Sequence, residues 1–206
     1  MRKPRNYDSA ETYTGGKKLP AGGYICKIIN VKEETSKSGN DMLVLAFDIC
    51  EGEFKDFYKE GYEKNTSEDK KWRGNFYMMV PGEEAEANDW KLRRFKTNIG
   101  KFEDSNNGYH FDWEHPEKLL GLLVGMVFGE EEYIASDGSN RFSTKPVRLE
   151  TVETIKDGDF EMPAVKYLDQ NPNAKPSNCF RPLGHSLHIH SFPIPYAIPT
   201  GVRSWE

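Results

Sequence analysis

The sequence is poor in cysteine, has no long apolar run and no basic excess, and carries no recognisable catalytic signature. Its three cysteines, Cys26, Cys50 and Cys179, form no Cys-x-x-Cys pair. A disulfide framework or a structural zinc site is therefore not expected. Cys26 and Cys50 fall in predicted strands and read as small buried hydrophobes. No window approaches the roughly 20 apolar residues of a membrane span, and Met1-Arg2-Lys3-Pro4-Arg5 lacks the apolar segment of a signal peptide. These absences predict a cytoplasmic protein with no membrane partner. The formal net charge is −5, and residues 19–157 carry 27 acidic against 19 basic side chains. Such a balance argues against coating duplex DNA by bulk charge, which rests on many phosphate contacts, while leaving room for local basic patches.

The catalytic inventory is equally thin. P-loop, Gly-x-Ser-x-Gly, His-Glu-x-x-His and dinucleotide-binding glycine patterns are all missing, so neither catalysis nor a cofactor is expected. Glu83-Glu84-x-Glu86 and Glu130-Glu131-Glu132 hold enough carboxylate for a two-metal nuclease, but neighbours on a strand point to opposite faces, which favours plain charged edges. His185, His188 and His190 with Cys179 mix metal-ligand types in a Pro-rich tail without a predicted scaffold, and no metal site is assigned to them.

Against a modest 36% hydrophobic content stand 12 Phe, 10 Tyr and 4 Trp. Rings pack sheets, and they also stack on bases. Leu19 to Phe54 reads as a long β-hairpin around Lys37-Ser38-Gly39-Asn40-Asp41, with Leu43, Leu45, Phe47 and Ile49 on the core face. Glu51 to Lys71 reads as an irregular or partly helical connection whose Phe54, Phe57, Tyr58 and Tyr62 plug one end. Trp72 to Val80 reads as a third strand, with Trp72, Phe76, Met78 and Val80 on one side and Arg73, Asn75, Tyr77 and Met79 on the other. Asp89 is placed to cap a helix that packs Leu92, Phe95, Ile99 and Phe102. Asp112 to Leu123 suits a short helix with Pro116 in its first turn. Val124 to Ala135 and Arg141 to Ile155 then pair around Asp137-Gly138-Ser139-Asn140. The fold class expected is mainly β, a five-stranded OB-like barrel with an α-helix inserted between strands three and four. Residues 1–18 form a basic arm, 19–168 the barrel and 169–206 a Pro-rich irregular tail.

Rings beside basic or amide groups mark the candidate binding residues. Arg73, Asn75 and Tyr77 share the outer side of strand three, Lys37 and Asn40 lie in the first turn, and Arg141 and Phe142 follow the last one. Trp90, Arg94 and Lys101 project from the helix face opposite its packed stripe, which serves equally as a solvated face or a phosphate contact. A ring for stacking and a few cations suit single-stranded nucleic acid without strict sequence choice.

At Leu19-Pro20-Ala21-Gly22-Gly23-Tyr24, at Lys37 to Leu43, at Phe47-Asp48-Ile49-x-Glu51-Gly52-Glu53-Phe54, at Trp72-Arg73-Gly74, in the helix from Trp90 and in the Gly125 to Ile155 hairpin, the chain resembles phage single-stranded DNA-binding proteins of Gram-positive hosts. The resemblance covers about residues 17–168. It implies an OB fold, single-stranded DNA as the partner, and a role beside phage replication or recombination proteins. The oligomeric state stays open, a homo-oligomer included. An acidic protein-interaction module that inhibits or recruits a host or phage enzyme is the alternative.

Proline density in the tail predicts that a chain ending at Leu168 keeps the thermal midpoint of the full-length protein. A differential scanning measurement on the two forms checks this.

Overall fold

Alternation in the first hairpin becomes two antiparallel strands, β1 (Gly22–Thr35) and β2 (Asp41–Ile49). Leu43, Leu45, Phe47 and Ile49 are all buried, as their spacing requires. The computed structural model describes residues 2–9 and 17–168. Within them β1 is central. Gly22 to Lys27 pair with β4 (Leu123–Ile134) on one side, and from Cys26 onward β1 pairs with β2 on the other. Beyond β2 lies β3 (Asn75–Met79), and beyond β4 lies β5 (Asn140–Glu150). The result is a five-stranded antiparallel sheet in the order β3-β2-β1-β4-β5.

The sheet's apolar face is covered by α2 (Trp90–Ser105), which lies between β3 and β4 in the chain. Asp89 caps it by accepting the amides of Lys91 and Leu92 at 2.7 and 3.1 Å. Phe95, Ile99 and Phe102 enter the core beside Phe47, Met126 and Phe128, while Asn98 is buried and Leu92 only half-buried. Of the predicted core cysteines, Cys26 is fully buried and Cys50 partly so.

Three elements differ from the sequence reading for local reasons, and the closure of the sheet differs for a reason that is not local. The third strand begins at Asn75 because the Trp72 indole turns back to donate to the carbonyls of Phe47 and Gly74, at 3.2 and 3.0 Å. Between Asp112 and Leu123 only a single 3-10 turn forms, Pro116–Leu119, and Gly121 at φ 84° ends it. β5 stops at Glu150 because Thr151 accepts the Thr154 amide and opens α3 (Val152–Asp157). Finally, the sheet is not closed into a barrel. β3 and β5 are its two edges, and among the described residues no ladder joins them. β3 is only five residues long and Pro146 removes a donor from β5, so neither edge offers a full row of partners.

Residues after α3 add to the free part of β4. The Lys166 amide donates to Glu130 and the Glu132 amide to Lys166, at 3.0 and 2.9 Å. Among the described residues no helix is long and apolar enough to cross a membrane.

The connection after β2 contains α1 (Phe57–Lys64), whose own N-cap, Asp56, sits at φ 58° and makes no side-chain cap. The cap comes instead from Asp48 in β2. Its carboxylate accepts the Ile49, Tyr58 and Lys59 amides at 2.8, 3.0 and 2.9 Å. Burial pushes the Asp48 carboxyl up, against the pull of these three donors.

Two substitutions separate these contributions in urea denaturation. Phe47→Ala removes a fully buried ring and is expected to cost about 3–5 kcal/mol. Asp48→Asn turns an amide N–H₂ toward the Lys59 amide, leaving a buried donor unmet, and is expected to cost about 1–3 kcal/mol.

Candidate nucleic-acid interface

Curling of the sheet brings its two unpaired edges to face each other across a groove of about 680 Å³. On the β3 side, Phe76 and Met78 turn into the core, so Asn75 and Tyr77 must turn out. Tyr77 is 57% exposed. Arg73, just before the strand, joins this wall, and α2 contributes Arg94. Residues Phe142 to Val147 of β5 form the opposite wall, with Phe142 held edge-to-face by Tyr167 at 6.0 Å. Phe57 and Tyr58 of α1 complete the lining, and Tyr58 is fixed edge-to-face on Phe47 at 5.3 Å. Burial raises the Tyr58 hydroxyl far above its ordinary value, so it is a neutral donor at any physiological pH.

The groove is also lined by Lys17 and Lys18, which composition assigns to the arm. Leu19 is buried and its carbonyl accepts the Thr144 hydroxyl at 2.6 Å, which fixes the end of the arm against β5. Five cations, Lys17, Lys18, Arg73, Arg94 and Lys145, therefore line a groove to which no described carboxylate contributes. Three of them have anchors. Lys18 pairs with Glu130 at 3.2 Å, Lys145 with Glu131 at 2.9 Å, and Lys17 donates to the Glu53 carbonyl at 3.0 Å while lying over the Phe54 ring. Arg73 and Arg94 have no carboxylate within ion-pair distance among the described residues.

Five of the ten residues expected to bind thus converge: Arg73, Asn75, Tyr77, Arg94 and Phe142. Lys37 is exposed in the β1–β2 turn, and Asn40 in the same turn accepts the Lys91 ammonium at 2.7 Å, which ties the start of α2 to that turn. Trp90, 60% exposed, begins the same helix. None of these three lines the groove. Lys101 and Arg141 lie outside the groove as well, and each has a carboxylate partner. Lys101 pairs with Glu150 at 2.8 Å and ties α2 to β5, and Arg141 pairs with Asp137 across the β4–β5 turn. Burial opposes ionisation of Glu150, but Lys101 and Arg148 outweigh it and hold its carboxyl below the ordinary value. Lys17, Lys18, Lys145 and Tyr58 line the groove without being among the ten residues expected from sequence. The Lys17-Lys18 pair directly before a buried leucine was the signal available for two of them.

The acidic run of β4 is structural. Glu130 holds Lys18, Glu131 holds both Lys166 and Lys145, and Glu132 accepts the Asn140 amide and the Leu168 N–H. Those two lysines keep the Glu131 carboxyl below its usual range. Among the described residues no group of three or more His, Cys, Asp or Glu is arranged to hold a metal ion. Cys179, His185, His188 and His190 lie outside the described residues.

A family model described as a protein of unknown function, DUF669, matches residues 5–106. That span runs from the arm to the end of α2, so it includes Arg73, Asn75, Tyr77 and Arg94 but not the β5 wall. No curated protein matches the chain.

Proposed function

We propose that the chain is a single-stranded DNA-binding protein whose binding site is the groove between β3 and β5. The observation that carries this reading is the convergence of an outward tyrosine, a second ring at Phe142 and five cations in one hollow of a chain with net charge −5. A single strand exposes bases to stack on the rings and phosphates to meet the cations, and neither contact depends on sequence. Duplex DNA hides its base faces and needs a broader positive surface. The sheet order, with α2 between β3 and β4, supports an OB-like barrel left open along the β3/β5 seam. The resemblance to phage single-stranded DNA-binding proteins supports a role in phage replication or recombination.

Titration of fluorescent single-stranded and duplex oligonucleotides at several salt concentrations tests the proposal. Single strands are expected to bind more tightly. Two unpaired arginines plus up to two lysines give roughly two to four phosphate contacts, hence a log–log salt slope of about −1.4 to −2.8. Equal or tighter duplex binding, or binding of neither, sinks the reading and leaves the protein-interaction alternative. Tyr77→Ala is expected to weaken single-strand binding by about 1–3 kcal/mol with folding intact. Arg73→Ala is expected to weaken binding and flatten the salt slope by about 0.7.

A further inference from the structure

Next to the groove lies a second hollow of about 480 Å³, walled by α1 and the chain that leads into β3. Its size falls within the range of small-ligand pockets, roughly 300–1,000 Å³. Phe54, Phe57, Tyr58 and Tyr62 give it ring surface. These rings are set by contacts with one another and with Trp72: Phe54 to Phe57 at 6.2 Å, Phe57 to Tyr58 at 5.2 Å and Tyr62 to Trp72 at 5.8 Å. Lys17, Lys55, Lys64, Lys71 and Arg73 line it too, against one carboxylate, Glu60, which pairs with Lys64 at 3.0 Å. Lys17, Phe57, Tyr58 and Arg73 belong to both hollows, so the two share one wall.

We infer that this hollow is a base pocket that receives one unstacked nucleotide of the strand lying in the groove. The inference rests on the proposed single-strand binding. Rings preset by their mutual contacts match the face of a base, and the lysines beside them, with Lys17 over Phe54 at 4.6 Å and Lys70 over Tyr62 at 4.5 Å, are long side chains that can swing aside to meet the phosphates on either side of it. Arg73, common to both hollows, is the residue past which the backbone would run from one to the other. An apolar ligand alone would make no use of Lys55, Lys71 and Arg73, and a small anion alone would leave the rings without contact.

The test uses oligothymidylates of graded length, about two to 12 nucleotides, each carrying a single 2-aminopurine moved along the strand. Full-length wild type, Tyr62→Ala, Lys71→Ala and Tyr77→Ala are compared. For strands long enough to reach both hollows, Tyr62→Ala is expected to raise Kd roughly 5- to 150-fold, the loss of one stack, and to abolish the fluorescence change at one position only. The shortest strand that binds is expected to be unaffected. Lys71, exposed and outside the regular elements, gives a variant whose folding is not in question. Lys71→Ala is expected to lower the salt slope for long strands by about 0.7 and leave short strands unchanged. If both pocket variants bind every length like wild type while Tyr77→Ala is weakened, the pocket lies off the strand and the inference falls with the groove intact. If wild type binds no oligonucleotide, both readings fall together.

Discussion

The end of β2 is the point on which the rest of the molecule hangs. Phe47 fills the core, its amide donates to the Gly74 carbonyl at 2.8 Å, and its carbonyl accepts the Trp72 indole. One residue on, the Asp48 carboxylate caps α1 through the Tyr58 and Lys59 amides. Two segments distant in sequence, 57–64 and 72–75, are thereby fixed to one strand end. They carry Tyr58 and Arg73, the shared wall of both hollows. The fit is close enough that only glycine serves at position 74, where a Cβ would come within 2.5 Å of the Phe47 carbonyl oxygen and 2.9 Å of the Tyr58 ring. Buried Asp48 is a liability without its three donors, because an unpaired carboxylate in that site would face the full cost of desolvation. It is this need that commits α1 to its position.

Charge is distributed by the same logic of partners. A chain of net −5 would be expected, on charge alone, to repel a polyanion. Yet many of the carboxylates near the sheet are bound to cations of the fold: Glu130 to Lys18, Glu131 to Lys145 and Lys166, Glu150 to Lys101 and Arg148. Exposed pairs of this kind contribute little to stability. Their consequence is positional: they stand the lysines along β4 and β5, at the edge of the groove, while Arg73 and Arg94 approach it from β3 and α2.

Local pattern was legible and distant pairing was not. Alternation from Leu43 to Ile49, the Asp89 cap, the helical stripe at Phe95, Ile99 and Phe102, and the turn at Asp137 to Asn140 are each dictated within a few residues. The outward direction of Tyr77 followed from the same period of two. Lys101 shows the limit, since nothing near it announces Glu150, 49 positions away in the chain, and its helix face alone made it look available. Asp48 is the reverse case. Its place opposite Phe47 in the alternation marks it as a solvent-facing residue, whereas a helix nine residues later in the chain buries it. Closure of the sheet was likewise beyond local reading, because it depends on what the two edges present to each other after folding.

What they present explains why the seam stays open. A ladder between β3 and β5 would involve at most the five residues of β3, and each bond would contribute about 0.5–1.5 kcal/mol net. Closing it would draw Arg73 and Arg94, the two cations without an ion pair among the described residues, into a space that no described carboxylate enters. Removing such a cation from water without a partner costs several kcal/mol, which offsets much or all of what so short a ladder could return. Exposed edges ordinarily invite pairing with another chain, and a row of cations is one of the devices that prevents it. The charges that line the groove thus work against its closure. In the proposed single-strand binding, phosphates would neutralise these cations in place while Tyr77 and Phe142 cover the bases. The geometry that forbids closure by hydrogen bonds is therefore the same geometry that the proposed single-strand binding requires.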